Sequence, residues 1–190
     1  PSDHSFETLN NFNKSCSVDV FFALSHGVHR GKLKSGKEDD RIIFLEKLQK
    51  ATSDVKFDLY GINNVQPIWA DHYFKTIANA KMGLNLSRGD AIKYYSSDRI
   101  TQIVGNGLVC LIDEKTQYRD FFKDDEMVFY RNLNDLSEKV MKISKDDKLR
   151  KKIARKGKDK YMKFFNSTKV ANYIINKSLD IKDKKYLWEN

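Results

Sequence analysis

Between Ser97 and Asp113 the chain reads SDRITQIVGNGLVCLID, and this run sharply limits what the protein can become. Ile100, Ile103 and Val104 fall at i, i+3 and i+4, the spacing of one apolar helical face, with Asp98 where an N-cap would stand. Gly105 and Gly107 supply the permissive backbone on which helices end. Leu108 to Ile112 follow as an unbroken apolar run of strand length. A helix delivered through a glycine turn into a buried strand is half of an α/β unit. At its start, Ser97, Asp98 and Arg99 surround a helix N-terminus, whose free N–H groups and positive dipole suit an anion such as phosphate.

The same alternation runs along the chain. Val18 to Leu24 predicts a strand ending in a polar, glycine-bearing loop, Ser25 to Gly31, and Arg41 to Ala51 predicts an amphipathic helix. Val55 to Gly61 predicts a second strand, Asp71 to Lys81 a helix capped by Asp71, and Met82 to Leu86 a third strand running into Ser87 and Arg88. Glu126 to Tyr130 completes a set of five strands, with helices expected over Asn134 to Ile143, Asp147 to Phe165 and Thr168 to Leu179. Strands separated by helices of this length indicate a mostly parallel α/β sheet with helices on both faces. Ligands of such sheets bind outside the carboxyl ends of the strands, which selects the Ser25–Gly31 loop, the Ser87–Asp90 turn and the approach to Asp98.

No apolar run approaches the roughly eighteen residues that a membrane span requires, and no N-terminal signal pattern is present. Cys16 and Cys110 are too few for a disulfide framework, which points to a reducing compartment. No H-E-x-x-H, paired C-x-x-C or D-x-D occurs, so no metal site is expected.

The order of the first strand and its glycine loop, a strand ending in Y-G, NAKMGLNLS, SDRITQIVGNGLVCLID and VFYRNLNDLSEKV resembles the C-terminal domain of GT-B glycosyltransferases. It is most similar to the group of the spore-maturation protein CgeB and its "glycosyl transferases group 1" relatives, from about Val18 to Phe165. The resemblance implies a Rossmann-like, nucleotide-sugar-binding domain over residues 17–166, after a leader or interdomain linker over 1–16 and before a C-terminal helix and tail over 167–190. It implies transfer of a sugar to an acceptor in glycan or cell-envelope polysaccharide synthesis, with the acceptor held by an N-terminal domain of the same full-length protein. No cofactor or metal is implied beyond the donor itself.

The family places a ribose-binding glutamate five residues before the glycine, and here that position is Gln102, whose amide oxygen accepts a hydrogen bond without charge. A sugar-binding glutamate eight residues upstream is replaced by Tyr94. Arg99 matches an arginine of the CgeB-like group, and its planar fork suits a diphosphate. Ser97 and Thr101 on the same helix, Ser87 and Arg88 after the third strand, and Gly27, His29 and Arg30 in the first loop complete the implied donor site. No residue of the chain is assigned as the catalytic base. Each site residue has a plainer reading beside the functional one: Arg99 and Gln102 as solvated helix positions, and the loop histidines as uninvolved.

Lys and Arg number 35 against 26 Asp and Glu, a net charge of +9, and much of the excess lies between Lys142 and Lys163. Such a run reads as a solvated helix face, a membrane-surface contact or a nucleic-acid patch. Leu149, Ile153, Tyr161, Phe164 and Phe165 supply apolar packing positions that favour the first, and nucleic acid lacks any supporting signature. A non-catalytic basic α/β module for an anionic partner is therefore the alternative to the transferase domain. The expected location is cytoplasmic, with the inner membrane surface as a variant.

Overall fold

A computed structural model describes residues 1–25, 39–181 and 186–189. Five strands, β1 (Val18–Ala23), β2 (Phe57–Tyr60), β3 (Ala80–Asn85), β4 (Val109–Asp113) and β5 (Val128–Tyr130), form one sheet in the order β2-β1-β3-β4-β5. All neighbours are parallel, in registers that include Val20↔Phe57, Val20↔Met82, Leu84↔Leu111 and Ile112↔Phe129. Six helices accompany them: α1 (Asp40–Ala51), α2 (Ala70–Ile77), α3 (Asp98–Gly105), α4 (Leu133–Lys145), α5 (Asp147–Phe164) and α6 (Ser167–Ser178).

Alternating strand side chains feed two cores. Val20, Phe22, Met82, Leu84 and Leu111 meet Leu45 and Leu48 of α1 and Leu136 and Val140 of α4. Phe21, Cys110, Ile112 and Phe129 meet Ile77 of α2, Ile100 and Ile103 of α3 and Tyr161 of α5. The continuous apolar runs of the sequence therefore mark strands covered on both faces. On β3, a Cβ at Gly83 would stand 2.5 Å from Ile103 Cγ1, so the glycine is what lets α3 lie close against the sheet. Gly107, at φ +77°, supplies the expected left-handed turn after α3.

Four helix starts carry Asx caps: Asp39 accepts from Arg41 N, Asn132 from Asp135 N, Asp146 from Leu149 N and Asn166 from Lys169 N. The expected caps Asp98 and Asp71 lie instead inside the first turns of α3 and α2. The N-cap positions belong to Ser97 and Trp69, and neither side chain caps its helix. Helix α2 also stops at Ile77, short of the expected Lys81, and β3 starts at Ala80. Local periodicity missed the cause: Asn11 Nδ2 donates to both Ile77 O and Ala80 O at 2.8 Å and fixes the turn between them.

Residues 1–16, set apart in the sequence as a leader, are woven into the domain. Ser2 bridges Asn166 at the α5–α6 junction, and Lys158 Nζ donates to Glu7 O and Leu9 O at 3.0 and 2.8 Å. Arg150 is fully buried, donating to Asn11 O at 2.7 Å, Lys14 O at 3.0 Å and, through Nε, Asp147 Oδ1 at 2.9 Å. Much of the basic run is thus structural, since Lys151 pairs with Asp147, Lys156 with Asp125 and Lys160 with Glu126. Among the described residues no helix is long and apolar enough to cross a membrane.

Arg150→Ala strands two backbone carbonyls and frees the N-terminal segment. The expected cost is about 3–5 kcal/mol in urea unfolding, the range for breaking a buried ionic network. Hydrogen exchange should show protection lost first over residues 2–14.

Candidate functional site

From β1 the chain winds one way through α1 to β2, then crosses back through α2 to β3 and onward through α3 to β4. Right-handed crossovers require those helices to lie on opposite faces, so the carboxyl ends of β1 and β3 open into a crevice. A cavity of about 330 Å³ lies there. Its floor is Ala23, Leu24 and Ser25 at the end of β1, one wall is Trp69, Tyr73 and Phe74 around α2, and the other is Asp98, Arg99 and Gln102 of α3.

Both helices that open on this cavity, α2 and α3, are the ones without a side-chain cap. The Ser97 hydroxyl turns aside to Asn85 Oδ1 at 3.0 Å; Ser97 O takes the Ile100 N–H at 3.0 Å, which leaves the N–H groups of Asp98 and Arg99 to another acceptor. Arg99 follows immediately and is half-buried. Its Nη1 donates to Leu86 O at 3.1 Å, and its guanidinium lies 5.1 Å from the centre of the Phe22 ring. Among the described residues no carboxylate pairs with it. Burial, and then the nearby Arg41 guanidinium, push the Arg99 pKa down from its ordinary value. A buried cation without a counter-charge is costly, and an incoming anion would relieve that cost.

The neighbouring charges explain the repulsion. Asp39 takes Arg41 Nε at 2.8 Å and Nη2 at 2.5 Å, and Arg88 Nε lies 3.9 Å from the same carboxylate. These Arg41 hydrogen bonds, foremost that of the side chain, hold the Asp39 carboxyl below the usual carboxylate range. One buried carboxylate thus serves Arg41 and Arg88, and Arg99 adds a further positive charge at the crevice.

The structure brings Arg99 and Gln102 into one cavity, whereas Ser97 stays outside its lining and turns its hydroxyl to Asn85. Ser87 and Arg88 follow β3 outside the lining, with Arg88 exposed. Thr101 is not brought in: it is 6% exposed and its hydroxyl lies 3.0 Å from that of Tyr161, on the sheet side of α3. Gly27, His29 and Arg30, with His26, lie outside the described residues. Sequence reasoning missed the aromatic wall and the Asp39–Arg41 pair. Trp69 follows Pro67 in an otherwise featureless loop, and its 62% exposure is the signal that a sequence does not carry. Among the described residues no group of His, Cys, Asp and Glu is arranged to hold a metal.

A family profile described as "Glycosyl transferase-like" matches residues 41–176. No curated protein matches the chain. Among solved structures, S. aureus TarM, as a mutant in complex with fondaparinux, alpha-GlcNAc-glycerol and UDP, superposes with a TM-score of 0.59 at 14% identity, over 86% of this chain and 36% of that one. A second TarM crystal structure gives 0.61 at 14% identity over 86% and 35%. Sucrose-phosphate synthase from Thermosynechococcus elongatus gives 0.57 at 11% identity over 89% and 47%. At these identities the likeness concerns the fold, and the chain spans between about a third and a half of the length of these proteins.

Arg99→Met removes the unpaired charge and keeps the packing over Phe22. The empty protein should melt at the same temperature or a few degrees higher, about 1 kcal/mol at most; a loss of several degrees would mark Arg99 as structural. Asp39→Asn should cost about 1–3 kcal/mol at pH 7, the range for hydrogen bonds to a charged group. The Asp39 pKa is lower in the folded than in the unfolded state, so its stabilisation is complete above about pH 3.9 and is lost as pH falls through the folded value. Urea melts of the two proteins should therefore differ by a constant amount from pH 7 down to about pH 4 and converge only as the pH is lowered further.

Proposed function

The chain belongs to the glycosyl transferase-like family, and on that premise we propose that it is the donor-binding domain of an enzyme that moves a sugar from a nucleotide-sugar to an acceptor. Because it spans only a part of the related structures, the proposal assigns the acceptor's general base to the rest of a longer protein.

The observation that carries this reading is Arg99, a half-buried guanidinium without a carboxylate partner among the described residues, at the N-terminus of α3, which no side chain caps, and inside the switch-point cavity. Displacement at an anomeric carbon drives negative charge onto the departing diphosphate. A fixed guanidinium and a helix N-terminus meet that charge without reorganising. Gln102 stands one turn beyond Arg99 in the same cavity, where its amide oxygen can accept from a ribose hydroxyl. The rings of Trp69 and Phe74, 62% and 38% exposed, offer an unsatisfied aromatic wall for a planar base. UDP accompanies the TarM structure, which makes uracil the first base to try.

A basic module for an anionic partner draws less support. Within α5, Arg150 and Lys158 are buried, and Lys151, Lys156 and Lys160 already hold carboxylates of the same chain.

Thermal melts with UDP, GDP, ADP, dTDP and CMP test the proposal. A ligand at a hundred times its dissociation constant adds about 2.7 kcal/mol, roughly 5–10 °C for a chain of this size. One diphosphate should give such a shift in the natural protein and little or none in Arg99→Ala. No shift with any nucleotide, or one untouched by Arg99→Ala, would overturn it.

A further inference from the structure

Ala70, the first residue of α2, has φ +45°, in the left-handed region that glycine enters freely and a Cβ resists. A right-handed helix requires the opposite sign. The hydrogen bond that opens α2, from Tyr73 N–H to Trp69 O, is correspondingly long at 3.3 Å, beyond the usual span of a backbone bond. Asn63 and Asn64 share the left-handed sign in the preceding loop, but asparagine tolerates that backbone and can hydrogen-bond locally, which alanine cannot.

Trp69, the residue before this strained position, is largely exposed although it lines the Arg99 crevice. Among the described residues no other ring meets its indole. The rings beside it are already engaged, since Tyr73 lies edge-on to Phe21 at 5.4 Å and to Phe74 at 6.1 Å between centroids. On the other side, Ile68 is buried in the core. The segment is therefore held at both ends, and its freedom lies in Trp69 and Ala70.

Two unfavourable features thus stand side by side at the crevice, a strained backbone and a large apolar ring left in water. The buried Ile68 and the Tyr73–Phe21 contact keep Ala70 in its strained form while the crevice is empty. A planar ring bound there adds what the empty crevice lacks, a surface for the indole, and the release of Ala70 acts in the same direction. We propose that Trp69 and Ala70 form a latch, open in the empty protein, that closes on a bound nucleotide as Ala70 returns to negative φ and the indole turns onto the base. The identity of the ligand rests on the donor reading above.

Two substitutions at position 70 push the latch in opposite directions. Glycine takes φ +45° without strain and favours the open form. Proline fixes φ near about −65°, suits the first position of a helix and favours the closed form; Trp69, extended at φ −140° and ψ 162°, accepts a proline after it. The ligand for the test is whichever of UDP, GDP, ADP and dTDP gives the largest melting shift. Ala70→Gly should bind it about tenfold more weakly, the affinity equivalent of the left-handed strain, while melting at the same temperature as the natural protein or higher. Ala70→Pro should melt lower and bind at least as tightly. In Trp188→Phe protein Trp69 is the one indole left, and acrylamide quenching of its fluorescence should fall about twofold when the nucleotide is added, as for an indole that leaves water for a stack. The latch is overturned if Ala70→Gly binds as tightly as the natural protein, if Ala70→Pro binds more weakly, or if quenching of Trp69 is the same with nucleotide bound. A melting shift that persists beside any of these results leaves the donor reading standing, whereas no shift with any nucleotide sinks that reading and the latch together.

Discussion

Parallel strands cannot be joined by tight turns, so every connection in this sheet must travel back along a face before the next strand begins. That constraint, with the right-handedness of crossovers, fixes most of the molecule. One crossover from β1 leads outward through α1 to β2, and the next two lead the opposite way through α2 and α3. The helices on either side of β1 part at its carboxyl end, and a hollow forms there before any side chain is specified. Gly83 and Ile103 then set how closely α3 lies against β3, and this in turn holds the Arg99 guanidinium over Phe22.

Two buried or half-buried arginines show how differently one side chain can be used. Arg150 has a carboxylate and two carbonyls around it, and it closes the N-terminal segment onto α5. Its charge is matched within the fold. Arg99 has one carbonyl, an aromatic face and a second arginine nearby. Its charge is matched by nothing in the described chain, which is the arrangement expected of a site that waits for an anion. Sequence cannot tell these two apart, since both are arginines in the first turn of a helix. The difference lies in what the rest of the chain brings near them.

The same contrast runs through the helix caps. Asn132, Asp146 and Asn166 terminate helices whose ends need only be closed, and each could be read from the residue type and position. Ser97 occupies an equally suitable position, yet its hydroxyl is claimed by Asn85 from the end of β3. Local propensity pointed to Asp98, one residue late, because it ignores a competitor that arrives through the sheet. Thr101 departs from its expected place at the ligand for a similar reason: helical spacing sets its position, but the Tyr161 hydroxyl that draws it inward lies sixty residues away.

By itself the sequence determined the five parallel strands, the six helices and the edge of the sheet at which a ligand belongs. Those follow from hydrophobic period and glycine punctuation, which are local and act within a few residues. It also determined the family, through the order of short phrases that the fold repeats. Tertiary structure decided the rest. It joined residues 1–16 to the domain through Arg150 and Asn11, absorbed much of the basic run into internal ion pairs, and set Trp69 and Phe74 across from Arg99. It also assembled a ring-lined cavity from segments as distant as Tyr94 and Trp188. The physical reason is that burial and charge compensation are properties of a neighbourhood, and a neighbourhood exists only once the chain has closed on itself.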